Sequence, residues 1–168
     1  LFAIRTDNQR QYPTMAIAIN EVQPWHKQIL SSFRIAISEL EDQILGRKDT
    51  QKVYQTYMQS MLTWTQMVST FRIYMANRIG GANETNLVAQ EKDIELIYTQ
   101  LQQLLTTLAS FGDQGLLGFE SHAALADIAL AAQRWKQGYD AIRILHHTQR
   151  WRIDTLVMHD EILPRLNQ

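Results

Sequence analysis

The chain has 168 residues, of which 45% are hydrophobic and 20% charged, and this is enough for one soluble domain with a sizeable core. Its 16 basic and 17 acidic residues leave a formal net charge of -1, which argues against nucleic-acid binding. The absence of cysteine excludes disulfide scaffolds, cysteine zinc sites and thiol catalysis. No apolar run approaches the roughly 20 residues of a membrane span. Because the sequence begins at Leu1 without an initiator Met, we expect it to be part of a longer protein.

The first predicted helix runs from about Met15 to Leu45, with residues 1–12 extending it backwards past Pro13. Pro24 lies inside its apolar stripe without changing the phase, which predicts a kink. A new helix with Pro24 at its first position is the alternative. The stripe consists of apolar residues at three- and four-residue steps or their multiples: Met15, Ile19, Val22, Ile29, Phe33, Leu40 and Ile44.

The second and third helices are bounded by turn residues. Gly46 to Asp49 forms a turn, and the second helix then continues to Ile79, where Gly80-Gly81 ends it. Residues 83–86 supply caps for the third helix, whose apolar positions alternate as in a coiled coil: Ile94, Ile97, Leu101, Leu104, Leu108 and Phe111. The glycine-rich residues 111–119 form the longest irregular segment.

The fourth helix is predicted to run without interruption from about His122 to Pro164. Some 40 residues at about 1.5 Å per residue would make it roughly 60 Å long. A helix of this length needs packing partners along its whole course.

The helix lengths predict an all-α antiparallel four-helix bundle with two longer helices, the N-terminal and the C-terminal one. Short turns make neighbouring helices antiparallel, so the shorter inner pair covers only part of the outer pair. We expect a single domain, with a bundle over residues 14–150 and two legs, residues 1–13 and 151–168, at the same end. Apolar residues continue along both legs, and a second copy of the chain is the simplest cover for them, which predicts a homodimer.

Two segments carry a resemblance to a known class of proteins. WTQMVSTFRIYMANR (64–78) and RWRIDTLVMHDEILPRLN (150–167) resemble all-helical periplasmic sensor regions of bacterial membrane receptors, of the sensor histidine kinase and chemoreceptor type. The resemblance implies a commonly dimeric bundle that senses small molecules or partner proteins outside the inner membrane. It also implies that transmembrane helices flank the chain and that both legs point toward the membrane.

The sequence offers no pattern for catalysis. Di-metal sites in helical bundles use Glu-x-x-His pairs, and neither these nor His-Glu-x-x-His zinc motifs nor phosphate-binding glycine loops occur. We therefore predict no enzyme activity in this chain, no catalytic residue, no metal site and no cofactor. The histidines 146, 147 and 159 are interpreted as structural or solvated, although His146 would titrate near neutral pH if unperturbed.

A ligand site is predicted around the second helix. Arg72 lies between apolar neighbours, and arginine is well suited to holding a carboxylate or another small anion. Arg34 repeats the arrangement, because ILSSFRIA (29–36) and MVSTFRIY (67–74) align without a gap. The alternative is that both arginines lie on the solvent face. The predicted ligand-binding residues are Trp64, Arg72, Tyr74, Asn77, Arg78 and Arg34.

These features predict an extracytoplasmic sensing domain of a membrane-bound receptor, most plausibly a two-component sensor histidine kinase. The signal would pass as a small displacement of the fourth helix relative to the first. The alternative is a helical adaptor or structural subunit of a secretion or surface assembly, which binds another protein through its legs.

Overall fold

A computed structural model describes residues 6–43 and 48–166, and the regular structure of this part of the chain is entirely helical. The predicted all-α class is therefore confirmed. Some predicted features lie outside the described residues. They are the helix end and turn at Ile44, Leu45 and Gly46, and the apolar positions Phe2 and Ile4 of the first leg.

The α-helices of the described residues are labelled here in chain order. They are α1 (Asn8–Gln11), α2 (Pro13–Ile17), α3 (Gln23–Gln43), α4 (Lys48–Ile79), α5 (Glu84–Asp113), α6 (Phe119–His146), α7 (Ile153–Val157) and α8 (Leu163–Leu166). A π-helical turn, Ala18–Val22, joins α2 to α3, and another, Met158–Ile162, joins α7 to α8. A 3₁₀ turn, Gln149–Trp151, lies between α6 and α7.

The described chain forms two compact units. The first contains residues 6–27 and 131–166, and the second contains residues 28–43 and 48–130. Each buries its own apolar side chains. In the first unit these include Val22, Trp135, Tyr139 and Ile142, and in the second Phe33, Tyr57, Trp64, Tyr74, Ile94 and Leu101.

Helices α4 and α5 pack against each other in the second unit, and the predicted boundary between them is confirmed. Helix α4 ends at Ile79, and Gly81 takes a left-handed φ of 78°. The side chain of Asn83 then caps α5 by accepting the backbone N–H of Asn86 at 2.9 Å. The predicted apolar stripe of α5 is right in most positions, but Leu105 is buried where Leu104 was expected to be.

A carboxylate from α3 caps the start of α6. Glu39 accepts the backbone N–H groups of Ser121 at 2.7 Å and Glu120 at 3.1 Å. The carbonyl of Ser121 in turn accepts the hydroxyl of the buried Tyr57 at 2.6 Å. Gly118 leaves room for this arrangement, since a Cβ at that position would overlap the Glu39 carboxylate. These contacts fix the end of the glycine-rich segment.

The predicted uninterrupted helix from His122 to Pro164 is wrong. Helix α6 ends at His146, and the backbone of Arg152 is extended, with φ -136° and ψ 100°. The predicted backward extension of the first helix past Pro13 is also wrong, because Tyr12 is extended, with φ -122° and ψ 93°. A residue that precedes proline is pushed out of the helical region by the proline ring, which explains the break at Tyr12.

Pro24 is accommodated inside a continuous helical course. The π-helical turn Ala18–Val22 precedes it, and the backbone N–H of Gln23 bonds to the carbonyl of Ala18, five residues earlier. A proline has no N–H and its ring collides with the carbonyl four residues earlier, and a widened turn relieves this collision. The alternative of a new helix beginning at Pro24 is therefore wrong. Gly138 lies against this region, since a Cβ there would meet Val22 at 2.8 Å.

Candidate functional site

The two helix breaks of the first unit lie against each other. Helix α1 contacts α7, and α2 contacts the 3₁₀ turn Gln149–Trp151. We call this region the joint and define it as residues 11–14 and 146–154. The joint brings the beginning and the end of the described chain together.

Side-chain caps start the helical segment that precedes each break. Asp7 caps α1 by accepting the backbone N–H groups of Gln9 and Arg10, and Pro13 then ends that helix. On the other side, Thr148 caps the 3₁₀ turn by accepting the N–H of Arg150 at 3.1 Å. The segment before each break, α1 or the 3₁₀ turn, thus has a capped start, whereas the helix after each break has no side-chain cap.

Asp154 is the central polar residue of the joint and is only 1% exposed. Its Oδ1 accepts from Nε of Arg152 at 2.9 Å, and its Oδ2 accepts from Nη2 of the same arginine at 3.3 Å. Across the joint, Nε2 of Gln11 donates to Oδ2 at 3.2 Å. A buried carboxylate is costly unless it is paired, so these contacts hold α1, Arg152 and α7 together.

A second buried polar contact joins α2 to α6. Nε2 of His146, which is 1% exposed, lies 3.2 Å from Oγ1 of the fully buried Thr14. The ring of Trp151 closes this region on both sides, because it stacks on Tyr12 at 6.0 Å and meets His146 edge to face at 6.3 Å. Aromatic pairs at these separations add to the packing energy.

The electrostatics of the joint favour the paired charges. The hydrogen bond from Arg152 to Asp154 raises the pKa of the guanidinium, partial burial opposes this, and the negative charge of Asp154 adds to the rise. The guanidinium therefore stays charged, as is usual for arginine. Removing Arg152 would leave the buried carboxylate of Asp154 without its charged partner, whereas the Arg152 side chain is 40% exposed and reaches solvent.

A cleft of about 450 Å³ opens beside the joint. Its walls combine apolar surface with a guanidinium, a hydroxyl and an imidazole, and such a mixture suits a small polar molecule. The imidazole Nδ1 of His159 lies 2.7 Å from Oδ1 of Asp160. The residues that line the cleft are Trp151, Arg152, Thr155, Leu156 and His159.

The residues predicted to bind a ligand on α4 do not converge on one pocket. Trp64 and Tyr74 are fully buried, whereas Arg72 is exposed. The hydroxyl of Tyr74 donates to the buried Glu91 at 2.9 Å. Arg78 and Asn77 are half-buried, and Nη1 of Arg78 donates to Glu84 at 2.7 Å.

Arg34 is exposed on α3, in a groove that also contains three acidic residues, Glu39, Asp42 and Glu120. The negative charges of these carboxylates make the groove an unfavourable environment for an anion. Anion binding by Arg34 and Arg72 stays a prediction.

Sequence reasoning missed the polar cluster of the joint, with Asp154 and Thr14 at its centre. No periodic signal marks these residues, because a buried polar residue interrupts an apolar stripe in the same way as an exposed one. The one available signal was Pro13, which predicts an extended Tyr12.

Among the described residues, no three His, Asp or Glu side chains lie close enough to hold a metal ion. Within the same part of the chain, no helix has the length and hydropathy needed to cross a membrane. Comparison of the chain with protein-family models, curated proteins and solved structures gave no match.

Proposed function

We propose that the chain is an extracytoplasmic sensing domain of a membrane-bound receptor of the sensor histidine kinase type. In this proposal the domain is an antiparallel four-helix bundle, and its two end segments lead toward flanking transmembrane helices. The observation that supports it is the contact between α1 and α7, bridged by the bond from Gln11 to Asp154. A domain inserted between two membrane spans needs its first and last segments side by side.

The joint suits signal transmission. Helices are rigid, whereas packed interfaces with few alternative arrangements respond to a signal in discrete steps. The buried contact of His146 links α6 to α2, and the bond from Gln11 to Asp154 links α1 to α7. A displacement of α6 would therefore act on the segment that follows it. We further propose that two copies of the chain associate through residues 151–168.

Small anions are the proposed ligand class for Arg72. Its exposure predicts that Arg72→Ala leaves the melting temperature unchanged and removes any stabilisation by a small carboxylic acid. A thermal-shift screen of small acids tests this. The prediction would be wrong if the variant and the wild type were stabilised equally.

Cysteine cross-linking in the membrane tests the proposed function. The chain has no cysteine, so once any cysteines elsewhere in the full-length protein are replaced by serine, a single introduced cysteine can form a disulfide only with its counterpart in a second copy. Suitable exposed positions are Thr155, His159 and Leu163, with Thr65 on α4 as the control. We expect cross-linking at the first three and none at the control. If the full-length protein is not held in the membrane, or if no position cross-links, the adaptor alternative is favoured.

A further inference from the structure

Residues 9–24 and 149–164 are two copies of one structural element, related by a constant offset of 140 positions. Each begins with Gln-Arg and ends with a proline at the sixteenth position, Pro24 or Pro164. Between these ends, apolar residues correspond at Ile17 and Val157 and at Val22 and Ile162. The identical pairs are Gln9 and Gln149, Arg10 and Arg150, Glu21 and Glu161, and Pro24 and Pro164.

The backbones of the copies follow the same course. Tyr12 and Arg152 are extended at corresponding positions, and a five-residue α-helix follows each of them. A five-residue π-helical turn comes next, and the proline stands two residues after it. Since π-helical turns are rare and concentrate at functional positions, their recurrence at the same point of both copies is not explained by helix propensity.

The copies contact each other reciprocally. The segment before the break of the first copy, α1, contacts α7, which follows the break of the second. Conversely, α2, which follows the break of the first copy, contacts the 3₁₀ turn before the break of the second. Reciprocal contacts of this kind are what a two-fold axis produces. The second helical residue after each break, Thr14 or Asp154, is a buried polar residue.

The copies differ in what holds the break open. In the first copy, the ring of Pro13 clashes sterically with a helical conformation of Tyr12. The second copy has Ile153 at the corresponding position, and residues 147–152 contain neither glycine nor proline. The extended backbone of Arg152 is instead accompanied by side-chain contacts, namely its own pair with Asp154 and the bond from Gln11.

We propose that the second break is a reversible switch, in which residues 147–152 pass between the broken form and a continuous helix that joins α6 to α7. The contacts of Asp154 act as its latch, and the first break stays fixed by Pro13. A continuous helix turns by about 100° and rises by about 1.5 Å per residue, so forming it would change the direction in which α7 faces and its distance from α6. The use of this rotation as a signal rests on the function proposed above, whereas the switch itself is a property of the isolated chain.

Backbone chemical shifts of residues 147–152 in the isolated chain test the switch. In the wild type, the Cα shift of Arg152 is expected to report an extended residue. In Asp154→Ala the Cα shifts of Thr148 and Arg152, which are both extended in the broken form, are expected to move toward helical values. Gln11→Ala removes only one hydrogen bond to Asp154, so its effect is expected to be smaller. Asp160→Asn, at an exposed carboxylate, is the control.

Ile153→Pro should hold residues 147–152 in the broken form, because it places a proline at the position of the second copy that corresponds to Pro13. Proline is tolerated at the first position of a helix, so the variant is expected to keep the melting temperature of the wild type. Added to Asp154→Ala, it is expected to restore the extended shift of Arg152. Ile144→Pro is the matched control, because it places the same change at an exposed position inside α6, where proline destabilises.

Two results would overturn the switch. One is an Arg152 that stays extended in both Asp154→Ala and Gln11→Ala. The other is an Ile153→Pro variant that loses as much thermal stability as Ile144→Pro, since residue 153 would then lie inside a helix. If the switch operates in the isolated chain but Ile153→Pro leaves the signalling of the full-length protein unchanged, the proposed use of the rotation as a signal fails and the switch stands.

Discussion

At the scale of single residues, Glu39 caps the N-terminus of α6 although it lies far from that helix in the sequence. A helix N-terminus has N–H groups without intrahelical partners, and a carboxylate there also interacts favourably with the helix dipole. Two of these groups, those of Glu120 and Ser121, bind Glu39 although it lies 81 and 82 positions away along the chain. Helix propensity gives no sign of such a partner.

Replacing Glu39 should destabilise the second unit in a pH-dependent way. Burial raises the pKa of Glu39, but hydrogen bonds with Ser121, Glu120 and Phe119 outweigh it and leave the pKa below its usual 4.5. The carboxylate therefore adds stability above pH 4.5, and this contribution is lost as the pH falls through the lowered pKa. We expect Glu39→Ala to cost about 1 kcal/mol at pH 7.

Urea unfolding at several pH values measures this effect. The difference between wild type and Glu39→Gln is expected to be largest at neutral pH and to shrink below pH 4.5. Asp93→Asn, at an exposed carboxylate on α5, is the control and should show no such trend. A difference that did not depend on pH would contradict the role given to the charge.

Gly118→Ala should act through the same cap. The added Cβ would overlap the Glu39 carboxylate, whose displacement breaks the bonds to Glu120 and Ser121. We expect Gly118→Ala to cost as much as Glu39→Ala and the double variant to cost clearly less than their sum. Strict additivity of the unfolding free energies would show that Gly118 is needed for another reason.

At the scale of secondary-structure elements, most helix boundaries could be predicted from the sequence. Gly80-Gly81 and Asn83 are chemically distinctive, and α4 and α5 end and begin where these residues predict. The break after His146 has no such marker. Residues 146–150 are polar but include neither glycine nor proline, and the geometry of the break depends on Gln11, more than 100 positions earlier in the chain. Local sequence rules cannot detect a break held by contacts of this range.

Pro13 should stabilise the fold by fixing the break at Tyr12. Because proline fits the first position of α2, its replacement by alanine mainly increases the conformational freedom of the unfolded chain. We expect Pro13→Ala to lower the free energy of unfolding by about 0.4–1 kcal/mol with an unchanged urea m-value.

Pro24→Ala is the matched comparison for this measurement. Pro24 lies within a continuous helical course, where alanine is the better helix former, so the variant should not lower the stability. A Pro13→Ala variant as stable as the wild type would mean that the break forms without help from the proline.

At the scale of the whole molecule, the sequence predicts the helical class but not the division of the described chain into two compact units. The predicted ligand residues show the same contrast. Residue type alone placed Trp64, Arg72 and Tyr74 together, whereas helix geometry buries the two aromatic residues and exposes the arginine. Neighbours in sequence on a helix point in different directions, so a shared segment does not make a shared site.

The C-terminal helical segment is broken at rest, and the contacts of Asp154 at the joint hold this break. Amide hydrogen exchange in the wild-type chain is the most direct measurement of it. In an unbroken helix the N–H groups of Ile153, Asp154 and Thr155 would each be bonded four residues back, whereas at the start of α7 they have no intrahelical partner. We expect these amides to exchange orders of magnitude faster than those of Trp135 to Ile142 within α6. Uniform protection from α6 through α7 would contradict it.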